Sequence, residues 1–433
     1  MITMSNVFEP GGNRPVFRDV DVLVAGSGPA GFAAALAAAD AGAKVLLVER
    51  FGYLGGMMTG AHVVAVLGMG DGSHEGAKVG GVLTDLRDRL APLGGITREN
   101  KDGDYWLDPE MFKWQGVEML REAGVEILTH AMVCDPILED GVVRGAFLET
   151  KKGRVAVRAK VTVDGTADAD LAFRAGCPCD DETHDVTLGF RLSGVDKDKV
   201  EAFGKENPEE SKRIFAEAKA LNNGRLPGQG WYMKGVDVAD PESLTEAENR
   251  FRRDCYASLF YLRENMPGYE NARVAETLPQ IGVRQGRRIK GGYTLTDEDI
   301  RASRHFEDGI ARLGSYLLGY ELYGVPYLHY DIPYRCLIPE GLEGLIVSGR
   351  CISGDYLATN TLRLIVPCFA TGQAAGAAAA LAVKHGVEPR DVDTNELRSL
   401  LSNQGVPLDW KGGTPEKTVA DEPPIMDGMG GDE

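Results

Sequence analysis

The sequence predicts an α/β protein in which both ends of the chain feed one parallel sheet and the middle adds an inserted α+β region. Three observations predict it. Near the N-terminus the apolar run Val20–Val24 passes directly into Gly26-x-Gly28-x-x-Gly31 and an alanine-rich helical segment. Near the C-terminus a second apolar run, Gly344–Val347, passes into Ser348-Gly349-Arg350 and then a helix rich in glycine and alanine. Between them, strand-like Val186–Leu192 is followed by polar helical sequence through 196–265.

Residues 1–17 read as an irregular lead-in, and the first βαβ unit follows from about 18 to 50. Val20–Val24 suits a strand buried on both faces. Gly26 permits the tight turn after it, Gly28 lets the backbone approach a pyrophosphate, and Gly31 lets helix and strand pack closely. Pro29, followed by Ala30, stands where a first helical turn tolerates proline. The N-terminus of that helix offers N–H groups and a partial positive charge to phosphates. A second apolar run, Lys44–Val48, ends in Glu49, placed to accept hydrogen bonds from ribose hydroxyls. Arg50 would suit a 2′-phosphate, so these residues alone leave FAD and a nicotinamide dinucleotide both open.

Residues 51–106 include a Gly-rich loop at 52–60 and a helix near Gly80–Leu90, and Asp108–Ala123 has an acidic, proline-containing helix start. Val125–Leu128, Met132–Leu138 with Val133, Val142–Thr150 and Arg154–Val157 have strand character, with Glu139-Asp140-Gly141 as a hairpin turn. Val161–Asp164 returns to the sheet.

The C-terminal half decides between the cofactors. A strand feeding a loop with an acid, Asp355, and then a small-residue helix from about Thr361 can hold a polyol chain by its hydroxyls. The start of that helix, at Arg363, Leu364 and Ile365, can face the electron-rich N1 and O2 edge of an isoalloxazine. Here the sequence resembles the FAD-dependent oxidoreductase family of Rossmann flavoproteins, in the glutathione-reductase-like group. The matching segments are GSGPAGFAAALAAADAG with Glu49, FGYLGGMMTG at 51–60, VTVDGTADADLAFRAG at 161–176, VRQGRRIKGGYTLT at 283–296, IPYRCLIPEGLEGLIVSGRCISGD at 332–355 and LRLIVPCFATGQAAGAAAALA at 362–382. They stand in the family's order across most of Val20–Val406.

The resemblance implies a Rossmann-type FAD-binding domain with FAD as cofactor. It carries the 52–60 loop along the pyrophosphate towards the flavin, bringing Gly55, Gly56 and Met57 to the cofactor, and Gly349 to its far side. Val133, Gly165 and Asp168 are further cofactor candidates. One motif departs from the family: Asp164-Gly165-Thr166-Ala167-Asp168 stands where relatives usually carry Ala-Thr-Gly, which alters its contact with the cofactor. The expected division is 18–180 and 332–406 for the FAD-binding domain, 181–331 for an inserted substrate domain, and a disordered acidic tail at 407–433.

Composition narrows the partners. A net charge of −18 argues against a nucleic-acid or anionic-membrane surface. The apolar segment around 364–383 carries Gln373 and reads as a core helix, not a membrane span. The first residues lack the basic and apolar pattern of a signal peptide. Seven scattered cysteines suggest neither a disulfide framework nor a metal site, and Cys177-Pro178-Cys179 reads as structural thiols in place of a redox pair. The expected location is cytoplasmic, with homo-oligomerisation left open.

For the chemistry, a strand over Val283–Leu295 would put Arg284, Arg288 and Lys290 on one face and Arg287 on the other. Arg284 and Arg288 would then clamp a carboxylate or polarise a carbonyl, or else pair with acids at the domain junction. Tyr316, Tyr320 and Tyr323 have helical spacing, whereas Tyr327, His329 and Tyr330 fall in an extended segment suited to an aromatic pocket wall with a titratable imidazole. Met57 and Met58 either cover a ring face or pack the core, and His62 reads as buried and neutral. With one dinucleotide fingerprint, the expected reaction is hydride transfer between a small organic substrate and flavin N5, with a separate, unidentified electron acceptor. A flavin monooxygenase and a non-catalytic flavoprotein subunit are the alternatives.

Overall fold

The computed structural model of the protein describes residues 12–70, 78–182, 184–315 and 328–408. The tail expected at 407–433 lies outside the described residues from 409 onward, as do Tyr316, Tyr320, Tyr323 and Tyr327. The centre is a seven-stranded sheet. Its parallel part runs Glu126–Leu128, Val45–Val48, Val16–Ala25, the end of Gly153–Asp164, and Leu345–Val347. Sequence neighbours thus sit on one side of the first strand and a distant C-terminal strand on the other, so the strand order reverses beside Val16–Ala25. Crevices outside the carboxyl ends of strands at such a reversal are where nucleotides bind in α/β folds. The fold is a Rossmann-type, mostly parallel α/β architecture.

On its other side the first half of Gly153–Asp164 pairs antiparallel with Val142–Thr150, which pairs with Met132–Glu139. The hairpin between the last two has Asp140 at φ 52° and Gly141 at φ 84°. Two consecutive positive φ angles are what a two-residue hairpin turn compatible with strand twist requires.

Two helices lie against each other over the sheet: Pro29–Asp40 and Ile365–His385. Their approach rests on glycine, since a Cβ on Gly372 would stand 2.1 Å from Ala30 O and one on Gly376 2.0 Å from Ala34 O. Ile365–His385 is long and apolar enough to cross a membrane by length and composition, yet 94% of its most apolar window is buried inside the protein. The sequence expectation of one helix from Thr361 is corrected to two, Tyr356–Leu362 and Ile365–His385. Pro367 has no N–H to donate to the carbonyl of residue 363, so the chain breaks at Arg363-Leu364 and starts a fresh helix.

A second apolar core, with Val186, Trp231, Phe251 and Ile281, lies under the sheet His184–Thr187, Met233–Val236 and Gly282–Val283. The expected strand Val186–Leu192 is divided into His184–Thr187 and Phe190–Ser193. The break falls at Gly189, where a Cβ would stand 2.5 Å from Leu278 Cδ1. The polar stretch forms Lys197–Glu206, Pro208–Leu221 and Pro241–Asn265, the last two opened by prolines in the first turn. Ile289, Leu295, Ile300, Ile310 and Leu313 belong to the main core, as do Tyr330 and Ile332 from the hairpin formed by Gly309–Ser315 and Leu328–Pro333.

Candidate functional site

The site begins where the parallel strands end. After Ala25 the chain turns at Gly26, whose φ of 89° and contact with Gly165 O, 2.6 Å from where a Cβ would be, both require glycine. Gly31 is equally constrained, because its Cβ would stand 1.8 Å from Gly26 O. Gly28 differs: nothing lies within 4 Å of a Cβ there, and its φ of −61° would suit any residue. The fold therefore does not need glycine at 28, and the open space in front of it is where a pyrophosphate would lie. Gly56, at φ 51°, closes the other side, its Cβ direction meeting Gly28 Cα at 2.9 Å.

The two helices that start here, at Pro29 and Ile365, have no side-chain cap and no acid in the first turn. Two other long helices are capped: Asp108 accepts from Glu110 N and Met111 N, and Asp240 from Glu242 N and Ser243 N. Uncapped N-termini facing one crevice leave backbone donors for a ligand's acceptors. These features fit FAD, with phosphates at Gly28–Gly31 and the ring's electron-rich edge at Leu364-Ile365.

Glu49 is buried at the end of its strand, accepting from Ser27 N at 2.9 Å, Ser27 Oγ at 2.7 Å and Phe51 N at 2.9 Å. Arg50 is exposed and lies 4.8 Å from the Phe51 ring. Val133 pairs with Leu148, next to Ala131, whose N–H donates to Glu49 O. In the 52–60 loop Gly55 N donates to Ser27 O, Met58 is fully buried in the core and Met57 is half-buried. Burial and the Arg191 guanidinium hold the His62 imidazole below its usual value.

The unusual turn after Asp164 has a structural explanation. Buried Asp164 accepts from Thr166 Oγ1 at 2.6 Å and from Thr166, Leu171 and Ala172 N–H groups, capping the short helix Asp170–Arg174. Ala167 and Ala169 both have positive φ, which turns Asp168 towards Arg350. Arg350 Nη2 meets the two Asp168 oxygens at 3.0 and 3.1 Å, while Arg350 also donates to Ala167 O and Val283 O. Asp355 accepts from Ala358 N at 2.7 Å and Asp297 N at 2.8 Å, which caps the helix Tyr356–Leu362. Gly349, at φ 86°, donates its N–H to Thr371 Oγ1, tying this loop to the long helix.

The basic segment crosses the front of this edge. It is not the continuous strand the alternation argument expected: only Gly282–Val283 and Arg288–Ile289 are in strands, with different partners. Gly286 fills the gap, where a Cβ would stand 1.8 Å from Asp168 Oδ1. The arginines consequently part company. Arg288 is 1% exposed, donates to Gly354 O and pairs with Asp180 and Glu182 at 3.8 and 3.6 Å. Arg287 pairs with Asp170 at 2.6 Å, and Lys290 with Asp180 at 2.6 Å. Burial, with Asp164 and Asp168 nearby, pushes the Asp170 carboxyl up to about 6.

Arg284 is left over. Its guanidinium lies 4.8 Å from the centre of the Tyr232 ring, beside Arg363. Burial, with Arg284 the largest charge contribution, brings the Arg363 guanidinium down to about 10. Gln285 donates to Asn360 Oδ1 at 3.2 Å, on the helix just before Arg363. Sequence reasoning placed Arg363 with the flavin and Arg284 with the substrate; it carried no signal that the two are neighbours, and none for Tyr232 or Arg350.

His329 and Tyr330 are buried on the strand Leu328–Pro333, paired with Gly314 and Leu313. Tyr330 sits in the main core with Cys368 near, and burial keeps its hydroxyl protonated. Cys177 and Cys179 are free thiols whose donors go to backbone carbonyls. Among the described residues no group of three or more His, Cys, Asp or Glu is arranged to hold a metal.

Comparisons with known proteins identify the family. A family model described as FAD dependent oxidoreductase matches residues 21–401. The digeranylgeranylglycerophospholipid reductase of Methanoculleus marisnigri is 30% identical over 165 residues, 36% of this chain and 41% of that protein. The urocanate reductase of Eggerthella lenta is 60% identical over 38 residues, 9% of this chain and 6% of that protein. The matches span less than half of these curated relatives. Among solved structures, p-nitrophenol 4-monooxygenase of Pseudomonas putida has a TM-score of 0.44 at 14% identity, over 90% of this chain and 89% of that one.

Proposed function

Because the chain belongs to the FAD dependent oxidoreductase family and is an FAD-using enzyme, we propose that it moves a hydride between a small organic substrate and its flavin. Bound FAD supplies the two-electron redox chemistry. The observation that carries the reading is the crevice at Gly28, open to a ligand while glycines 26 and 31 on either side are closed by the fold.

The chain's own residues bind and orient. Gly28, Pro29, Ala30 and Gly31 would take the pyrophosphate on the helix N-terminus, and Glu49 the ribose through its remaining lone pair. Gly55 and Gly56 would line the phosphates, with Met57 towards the ring. Leu364 and Ile365 would present a positive helix end to the ring edge where negative charge collects on reduction. Arg350, neutralised by Asp168, would hold the two halves of the cradle in register. Val283–Arg284 lies across the front, leaving the substrate between that segment and the ring.

The test is spectroscopic. The purified protein reconstituted with FAD is expected to show flavin absorption near ~450 nm that bleaches anaerobically with a hydride donor drawn from a panel of small organic acids and carbonyl-containing reductants. Absence of bound flavin after reconstitution would overturn the cofactor assignment. Bound flavin that no donor bleaches, but that bleaches with a reduced nicotinamide before attacking oxygen, would favour the monooxygenase alternative.

A further inference from the structure

Hydrogen bonds bring three arginine-bearing segments together at the carboxyl edge of the sheet: Arg350 donates to Val283 O, next to Arg284, at 2.7 Å, and Gln285 donates to Asn360 Oδ1, three residues before Arg363, at 3.2 Å. Arg350 has its acid, Asp168, and two backbone carbonyls. Among the described residues no carboxylate lies within ion-pair distance of Arg363 or Arg284. Arg363 Nε is buried with no hydrogen-bond partner, and the neighbour of Arg284 is the Tyr232 ring. This is unusual for the segment, since Arg287, Arg288 and Lys290 are each paired with an acid. It is also unusual for the chain, whose 65 acidic residues outnumber 47 basic ones. Arg363 is mostly buried and Arg284 half-buried; two like charges side by side repel each other, and an anion joining them relieves that repulsion.

We propose that Arg284 and Arg363 jointly bind a carboxylate of the substrate, so that the enzyme acts on an organic acid, with Tyr232 as the wall beside it. A carboxylate presents two oxygens to two guanidinium forks, which fixes orientation as well as charge. Arg363 immediately precedes the helix end assigned to the flavin ring, so an acid held there lies next to the ring. Gln285, buried beside Arg284 with Oε1 unpartnered, supplies an acceptor for a hydroxyl or amine on the same substrate. This assignment rests on the flavin reading above. The cofactor's own phosphates share the anionic chemistry, and the experiment separates the two sources.

Wild type, Arg284→Gln and Arg363→Gln are loaded with FAD and titrated with acetate, with acetamide as the neutral analogue, following perturbation of the flavin spectrum. A saturable acetate response in wild type, none with acetamide, and about tenfold or weaker acetate binding in each variant with FAD affinity unchanged is the expected result. Lost FAD affinity in the variants would assign the arginines to the cofactor's phosphates and overturn the proposal. An acetate response that is absent in wild type, or equal in all three proteins, would overturn it too. The FAD-free variants provide the second readout: removing one of two unpaired cations is expected to hold or raise Tm, and a lower Tm in both would make the arginines structural. Failure of the wild type to take up FAD would instead remove the flavin reading on which the proposal stands.

Discussion

Arg350 and Asp168, 182 residues apart, form the ion pair that joins the C-terminal half of the cofactor cradle to the N-terminal half, with Nη2 at 3.0 and 3.1 Å from the two carboxylate oxygens. The guanidinium is 8% exposed and the carboxylate 24%, so the pair is largely shielded. Arg350 also bonds Val283 O, which ties both halves to the substrate-side segment. Asp168→Asn leaves that cation without its countercharge, beside Arg363. A loss of about 2–4 kcal/mol is expected, somewhat below the range for fully buried pairs. Urea unfolding of the FAD-free protein measures it; an unchanged midpoint would show that the pair contributes nothing.

Gly28 and Gly31 should respond in opposite ways to alanine. A Cβ at 28 meets no protein atom, so Gly28→Ala is expected to leave the Tm of the FAD-free protein unchanged and to weaken FAD by about tenfold or more. Gly31→Ala drives its Cβ into Gly26 O and is expected to lower Tm before any cofactor is added. Melting curves and an FAD fluorescence titration of both variants check this, and equal effects on stability would refute the division of roles.

The strand, turn and helix at 20–50 were legible because their causes are local: apolar runs, glycines at fixed offsets, proline in a first turn. The same holds for the hairpin at Asp140-Gly141. What escaped is non-local. The alternation argument that grouped Arg284 with Arg288 assumes an unbroken strand, and Gly286, pressed onto Asp168 from another part of the chain, prevents one. The neighbour of Arg284 is Arg363, brought there by the break before Ile365, and only Pro367 hinted at that break. The capping role of Asp355 was not legible, because a helix cap and a hydroxyl acceptor for a polyol chain have the same composition.

Asp170 makes stability depend on pH in a defined direction. Its carboxyl rises from 3.8 to about 6, so the fold favours the protonated form. That contribution is fully present below 3.8 and is lost as pH rises through about 6. Asp170→Asn mimics the protonated form at every pH. The variant is therefore expected to gain on the wild type across that window and to run parallel to it outside. Urea midpoints at a series of pH values test this; a difference that shrinks as pH rises would have the wrong sign.

Stability and cofactor binding should be coupled through the contact between Pro29–Asp40 and Ile365–His385. Both helices aim their N-termini at the crevice, and their spacing is set by Gly372 against Ala30 O and Gly376 against Ala34 O. The obstacle at each position is backbone, which cannot rotate aside as a side chain would. Gly376→Ala must therefore push the helices apart, at about 1–3 kcal/mol or more for an overpacked core. Because the displaced helix carries Leu364-Ile365 at one end and Thr371, the acceptor for Gly349 N, about two turns further in, the cradle opens with it. Lower Tm without FAD and weaker FAD binding are expected together. This differs from Gly28→Ala, where binding alone falls, so comparing the two variants separates loss of a phosphate contact from loss of the frame that positions it. A Gly376→Ala protein that melts normally would show that the helices are not held at this distance.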